Sequence, residues 1–423
     1  MSSENLRHLN RISDVNSNKG VKFLHKAASP GSHCPLHTTL ATIKRLGNVS
    51  SLVVGMPECG YYSRFVMTSP YGRNGELHYL YEMDSNEVVF GCREGLMDAI
   101  RQMDREGAKV IFIVVTCIPE LIGEDIESVI TELKGEINAK LLFTNVAHFT
   151  RNGYQAGFFN TISKLPDIAE GIIPARDGSN INILGSAGSS EMLLFNQSLI
   201  EGGYKINILD NNSSLEDILS SVDGKISIVL SPKMMKLAKK LEEKYGIPYF
   251  CLHNLYSCDD ITIKYENILE MLNSKHLNVL QELKAELLQL EEECKTILKG
   301  RKFITSNPEL DTIPYAAYLS SLGMLPVLLH VEEFYEENME LCSSLKAYGQ
   351  DPYVCYISDV SRLMNVIEEE DIFISFGNCE DMRQEKIISD LDLNKMAELS
   401  GYSRSIALLE KIMHRLGSSG KEA

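Results

Sequence analysis

Lys109-Val-Ile-Phe-Ile-Val-Val-Thr116-Cys117-Ile-Pro119 is the stretch on which the fold turns. Its unbroken apolar run, dominated by β-branched side chains, leaves no polar face. Such a run reads as a parallel strand covered on both sides. A Cys-Ile-Pro turn follows at its carboxyl end, where open α/β sheets form their ligand sites. Working outward, Ser51-Leu-Val-Val-Gly-Met56 and Lys140-Leu-Leu-Phe-Thr144 read as further buried strands. Helix-period segments at 93–105 and 123–134 separate them.

The alternation restarts at Asn180. Strands are expected at 181–184, 205–209 and 226–230, with helices at 191–202 and 234–245, the last stopped by Gly246-Ile-Pro248. Leu280, Leu283, Leu287, Leu290, Cys294 and Ile297 recur at helical spacing and predict a long amphipathic helix. A third block follows, with strands near 302–305, 326–331, 352–357 and 371–376, and a closing helix at 402–416. The expected architecture is α/β: three Rossmann-like domains with parallel sheets flanked by helices. The divisions are a flexible tail (1–20), domain I (21–175), domain II (176–278), a linking helix (279–300), domain III (301–400) and a C-terminal helix and tail (401–423). A prior of about 150 residues per domain agrees with the 423-residue length.

Composition narrows the function. The net charge of -17 argues against a nucleic-acid binder and suits solubility or a basic protein partner. The polar N-terminus lacks the apolar core of a signal peptide, and no apolar run is long enough to span a bilayer. A cytoplasmic location is expected, where ten cysteines serve as thiols or ligands rather than disulfides. Gly185-Ser-Ala-Gly-Ser-Ser190 lacks the full dinucleotide fingerprint, and the chain has no Walker A pattern.

Three cysteines stand in turns beside predicted elements. Cys34 lies in Ser32-His-Cys-Pro-Leu-His37, Cys59 in Gly55-Met-Pro-Glu-Cys-Gly60 and Cys117 in Val115-Thr-Cys-Ile-Pro119. Cys59 and Cys117 follow predicted parallel strands. Adjacent Gly and Pro permit close backbone approach to a bulky ligand. Thiolates are the ligands of iron–sulfur clusters, although free cysteines are also frequent in protein cores. Three fall one short of the usual four, which leaves another subunit, a carboxylate or Cys92 for the last position. His33 and His37 flank Cys34 as hydrogen-bond donors or solvated caps, and His148, after a predicted strand, is a weak candidate proton donor. Cys251, Cys258, Cys294, Cys342, Cys355 and Cys379 read as structural.

The same stretches resemble the component 1 family of nitrogenase and nitrogenase-like oxidoreductases. Gly55-Met-Pro-Glu-Cys-Gly-Tyr-Tyr62 looks like that family's Gly-Pro-x-Gly-Cys turn, with Glu58 in place of a Gly. Thr116-Cys-Ile-Pro-Glu-Leu-Ile-Gly-Glu-Asp-Ile126 is similar to its Thr-Cys-x-x-x-Ile-Gly-Asp-Asp segment. Glu87-Val-Val-Phe-Gly-Cys92 resembles Val-Phe-Gly-Gly, and Gly153-Tyr-Gln-Ala-Gly157 resembles Gly-Tyr-x-x-Gly. The spacings of the three cysteines are like those of β-type subunits, and the whole resembles a molybdenum–iron protein β-type or a dark-operative protochlorophyllide reductase-like subunit.

The resemblance implies that Cys34, Cys59 and Cys117 bind an iron–sulfur cluster, [4Fe–4S] or P-cluster-like, at a subunit interface. It implies a homodimer, or a heterodimer with a paralogous component 1 subunit. An ATP-dependent iron protein would deliver low-potential electrons for a small-molecule substrate, with no nucleic acid or membrane involved. The expected activity is that of a nitrogenase-like oxidoreductase, the alternative being a metallocofactor assembly scaffold. Cys92 stands where the family has a small residue, an extra ligand or a buried thiol. Ser227-Ile-Val-Leu-Ser-Pro-Lys233 lacks the cysteine that holds a molybdenum–iron cofactor in relatives, so no such ligand is expected from this chain.

Overall fold

A computed structural model of the chain describes residues 9–15, 34–147, 149, 156–169, 178–273, 278–307, 311–331, 334–355, 371–379 and 382–419. It contains three sheets built mainly of parallel strands. The chain divides into two compact units.

One unit, Ser32–Gly185 with Lys205–Tyr249, holds the first sheet. There β2 (Ser50–Gly55) and β4 (Val110–Val115) lie between β3 (His78–Glu82) and β5 (Lys140–Asn145). All pairings are parallel. Every residue of β2 and β4 is buried, as their lack of a polar face requires. Residues 78–82 were not expected as a strand; the polar ends of His-Tyr-Leu-Tyr-Glu suit a half-buried edge position. Around this sheet lie α1 (Pro35–Leu46), α2 (Pro57–Ser63), α3 (Arg93–Arg105) and α4 (Cys117–Leu121). The second sheet has the order β7-β6-β8-β9, with β6 at Asn180–Leu184, β7 at Lys205–Leu209, β8 at Gly224–Val229 and β9 at Tyr249–Cys251. α5 (Ala156–Ile162) packs on α1. The contact depends on Gly157: a Cβ there would meet Pro35 O at 2.1 Å and Thr38 Oγ1 at 2.2 Å. Only glycine lets α5 come this close to the start of α1.

The other unit contains Ser186–Tyr204 and Phe250–Ala423 and carries the third sheet. Its order is β1-β12-β11-β10-β13-β14. β10 (Lys302–Thr305), β12 (Tyr353–Cys355) and β13 (Ile372–Phe376) fall within the expected ranges, β11 (Leu325–His330) is displaced by one residue from its own, and β14 (Ile387–Ile388) is a short addition. The helices used below are α6 (Ser190–Glu201), α7 (Met235–Tyr245, in the first unit), α8 (Cys258–Leu272), α9 (Gln281–Leu298), α10 (Thr312–Ser321) and α11 (Gly401–Ser419).

The expectation of a flexible tail over 1–20 is corrected at residues 9–15. β1 (Asn10–Arg11) pairs antiparallel with β12, and the Arg11 guanidinium stacks 3.5 Å above the Tyr353 ring. Ile12 is buried behind it, and Ser13 is tied to Asp351 through its amide and hydroxyl. The buried Leu9, Ile12 and Val15 are spaced three apart rather than alternating, so the segment carries no strand periodicity.

Candidate functional site

Cys34, Cys59 and Cys117 each stand at the beginning of a helix. Cys34 is the extended N-cap of α1, Cys59 lies in the first turn of α2, and Cys117 is the first residue of α4. Pro35 and Pro57 open α1 and α2, where their missing N–H costs nothing. None of the three helices has a side-chain cap. In α1 the Leu36 amide is turned instead toward the Cys34 sulfur.

The turn at the end of β2 sets the position of Cys59. A Cβ on Gly55 would fall 2.3 Å from Thr116 Oγ1 and 3.0 Å from Cys59 Sγ. Thr116 Oγ1 donates to Val54 O at 2.8 Å, which ties the carboxyl ends of β2 and β4 together. Glycine at 55 thus lets the segments bearing Cys59 and Cys117 meet. Glu58, which replaces a family glycine, sits in the regular first turn of α2.

The three thiols share one environment. Burial raises the Cys34 thiol pKa; a hydrogen bond from the Leu36 amide works against this, and the proximity of Cys117 and Cys59 raises it further. All three are half-buried. Among the described residues, no three His, Cys, Asp or Glu side chains converge tightly enough to hold a single metal ion. A polynuclear cluster makes a different demand. It needs thiolates set apart around an inorganic core. Three half-buried thiols at helix starts, with amide support for Cys34, fit that donor chemistry.

Cys92 belongs to another environment. It is 1% exposed, within the hydrophobic core beside the first sheet. Burial and then the Glu124 carboxylate push its thiol up to about 12. Glu124 also accepts from the Cys92 amide at 2.8 Å. A thiol kept protonated in this way is a poor ligand. Sequence reasoning missed Glu124, whose pairing with a residue 32 positions away has no local signature.

His37 lies one turn into α1, its ring 6.0 Å from that of Tyr62 and 6.5 Å from that of Phe65. Its Nε2 is buried without a hydrogen-bond partner. His33 and His148 lie outside the described residues. Tyr61, Phe65, Val89, Phe90 and Leu121 are exposed apolar side chains, Phe90 at 85%. Tyr61 lies in α2 and Leu121 in α4, the helices that carry Cys59 and Cys117, and the Tyr61 and Phe65 rings meet edge to face at 5.6 Å.

The family model for nitrogenase component 1 type oxidoreductases matches residues 34–416. The chain belongs to this family. Among its relatives are nitrogenase iron-molybdenum cofactor biosynthesis proteins NifE. That of Bradyrhizobium diazoefficiens is 23% identical over 361 residues, covering 80% of this chain and 64% of the relative. That of Clostridium pasteurianum is 26% identical over 285 residues, covering 63% and 60%. The chain thus spans less than two thirds of the length of these curated relatives. A nitrogenase molybdenum-iron protein alpha chain from Methanothermobacter marburgensis is 26% identical over 40% of this chain and 37% of its own. A solved structure described as nitrogenase Cp1 at pH 6.5 superposes with a TM-score of 0.66 at 16% identity, covering 97% of this chain and 98% of its own. It shares the fold of this chain. No helix among the described residues is long and apolar enough to cross a membrane.

Proposed function

We propose that this chain is an iron–sulfur subunit of the component 1 type, with Cys34, Cys59 and Cys117 as its cluster ligands. The reading is supported by Cys59 and Cys117 standing just past the carboxyl ends of β2 and β4, and by Cys34 lying near enough to both for them to oppose its ionisation. A bound cluster would supply one-electron storage at low potential. The chain's own residues bind and orient: Leu36 N–H supports the Cys34 sulfur, and Thr116 fixes the two strand ends. The exposed Tyr61, Phe65 and Leu121, on or next to the helices that carry Cys59 and Cys117, are read as part of the face that a second component 1 subunit, identical or paralogous, covers to exclude water and complete the ligand set. An ATP-dependent iron protein would provide electrons for a small-molecule substrate, which makes the assembly an oxidoreductase.

A second reading is favoured by the relatives: several are named as cofactor biosynthesis proteins. In it the chain serves as a scaffold that holds a metallocofactor without substrate turnover. The missing cysteine in Ser227–Lys233 is compatible with both, because it removes a cofactor ligand from this chain alone.

Anaerobic purification of the full chain, alone and with candidate partner subunits, tests the common core of both readings. Brown protein with iron and sulfide in stoichiometric amounts is expected. Colourless, iron-free protein under all these conditions overturns it. Reduction of a substrate on adding iron protein and ATP selects the reductase; release of a bound metallocofactor to an acceptor protein without turnover selects the scaffold.

A further inference from the structure

Between the C-terminal half of α1, the 64–76 segment and the start of β3 lie two adjoining hollows of about 890 and 320 Å³. They share Met67, Thr68, Ser69 and His78. The larger has the size of a small-molecule site. Its lining includes Lys44, Arg45 and Arg73, and Arg64 lines the smaller.

The charge is unusual for this chain. Overall it is -17, and elsewhere in the same unit Arg93 and Arg101 are paired with Glu132 and Glu136. Arg45, Arg64 and Arg73 have no carboxylate partner among the described residues, and Lys44 donates only to Val66 O, at 2.6 Å. The acidic side chain in the larger lining is Glu76, and its capacity is already spent. It is 7% exposed and accepts from the Asn48 amide at 2.7 Å, the Asn74 amide at 2.9 Å and Asn74 Nδ2 at 3.1 Å. Those bonds fold the 72–76 turn against the end of α1, which brings Arg73 to the mouth of the hollow. His78 is held where the hollows meet, its Nδ1 3.0 Å from Ser51 Oγ. Thr68 and Ser69 contribute polar groups to the shared wall.

Three cations around a ligand-sized hollow and a fourth in the hollow beside it, with one carboxylate already saturated, call for negative charge from outside the chain. Guanidinium groups favour planar, two-pronged acceptors such as carboxylate and phosphate. We propose that this cleft binds a small polyanion bearing at least two carboxylate or phosphate groups. The assignment stands apart from the cluster ligands and does not require them.

Calorimetric titration of the full chain with inorganic pyrophosphate and with citrate tests it. One or both should bind with about 1:1 stoichiometry and weaken as salt rises. Preference for one distinguishes phosphate from carboxylate chemistry. Arg45→Glu with Arg73→Glu should weaken binding by at least about tenfold. Arg105→Glu, on an exposed part of α3, should leave it unchanged. Bound anion should also protect Arg45 and Arg73 of the unaltered chain from arginine-selective modification, a readout independent of any variant's folding. Absence of binding by either anion overturns the proposal. So does binding that Arg105→Glu weakens as much as the double variant, or that leaves Arg45 and Arg73 unprotected.

Discussion

Some helix starts in the two units are finished in different ways. In the unit bearing the third sheet, two starts have backbone amides that donate to buried carboxylates from elsewhere in the chain. Glu191 accepts from the Tyr402 and Ser403 amides of α11 at 3.0 and 2.6 Å, and from Tyr265 Oη at 2.7 Å. Glu291 accepts from the Cys258 amide of α8 at 2.9 Å and from Tyr318 Oη at 3.0 Å. Asp311 stands at the N-cap of α10 without a side-chain cap bond, and both its oxygens accept instead from Asn338 Nδ2. In the unit bearing the first sheet, α1, α2 and α4 have no such cap and present thiols instead. Cys117 and Cys258 make the contrast local, since each is the first residue of its helix. A helix start attracts negative charge in either case. Where the fold supplies the anion the position is structural; under the proposed function, the thiols at the other starts would hold an inorganic one.

Substitution of cysteine gives the largest expected effect. Cys117→Ser should remove most of the iron and sulfide from anaerobically purified protein, and Cys34→Ser and Cys59→Ser likewise. Cys258→Ser and Cys294→Ala should retain it. Iron retained by all three first-unit variants would dissolve the distinction. The next effect is on folding: Glu191→Ala leaves two amides and a tyrosine hydroxyl without their acceptor, at a cost of roughly 4 kcal/mol, measurable by denaturant unfolding. A cost under about 1 kcal/mol would show that the carboxylate is not what closes α11.

The open half of this contrast was legible in the sequence, and the closed half was not. β2 and β4 are continuous apolar runs, so the fold could be placed by local pattern, while the cysteines in their Gly- and Pro-marked turns were singled out as ligands only by the family resemblance. Glu191 and Tyr402 are 211 residues apart, and Glu291 and Cys258 are 33 apart. Their pairing is created by tertiary packing and leaves no periodic trace. Cys92 looked like the three ligand candidates by its neighbours, Gly91 and a helix start. Its carboxylate partner, Glu124, decides its chemistry, and that partner is visible only in three dimensions.

Asp311 sharpens the comparison through pH. Burial raises its carboxyl to about 7, with the Asn338 hydrogen bonds working in the opposite direction. An ordinary aspartate in the unfolded chain titrates near 3.9. Between these values the folded state holds the extra proton, so this residue's contribution to stability is present at low pH and lost as pH rises through about 7. Asp311→Asn should remove up to about 1.4 kcal/mol per pH unit of downward slope between these limits. The difference between the two proteins' pH–stability curves isolates this residue from Glu76, Asp167 and Asp392, which titrate in the opposite sense. Parallel curves would mean that Asp311 is solvated.

The smallest effect tests the mechanism of silencing itself. Burial and then the Glu291 charge push the Cys258 thiol up to about 11, so at neutral pH its thiolate fraction is very small. Glu291→Gln removes the charge and keeps an amide oxygen for the Cys258 N–H. The thiol pKa should fall by part of its shift, because burial remains. Alkylation of Cys258, followed residue by residue by mass spectrometry at fixed pH, should then quicken by a few-fold, on the order expected when one neighbouring charge is neutralised. Cys294 is also raised by burial, then by Glu293 and Glu291, and should quicken less. Cys34, whose ionisation is opposed by burial and neighbouring thiols rather than by a carboxylate, should not change. An equal acceleration at all three would point to general loosening of the fold. An unchanged Cys258 would mean that burial alone silences it, and that carboxylate closure of a helix start contributes stability without controlling the thiol.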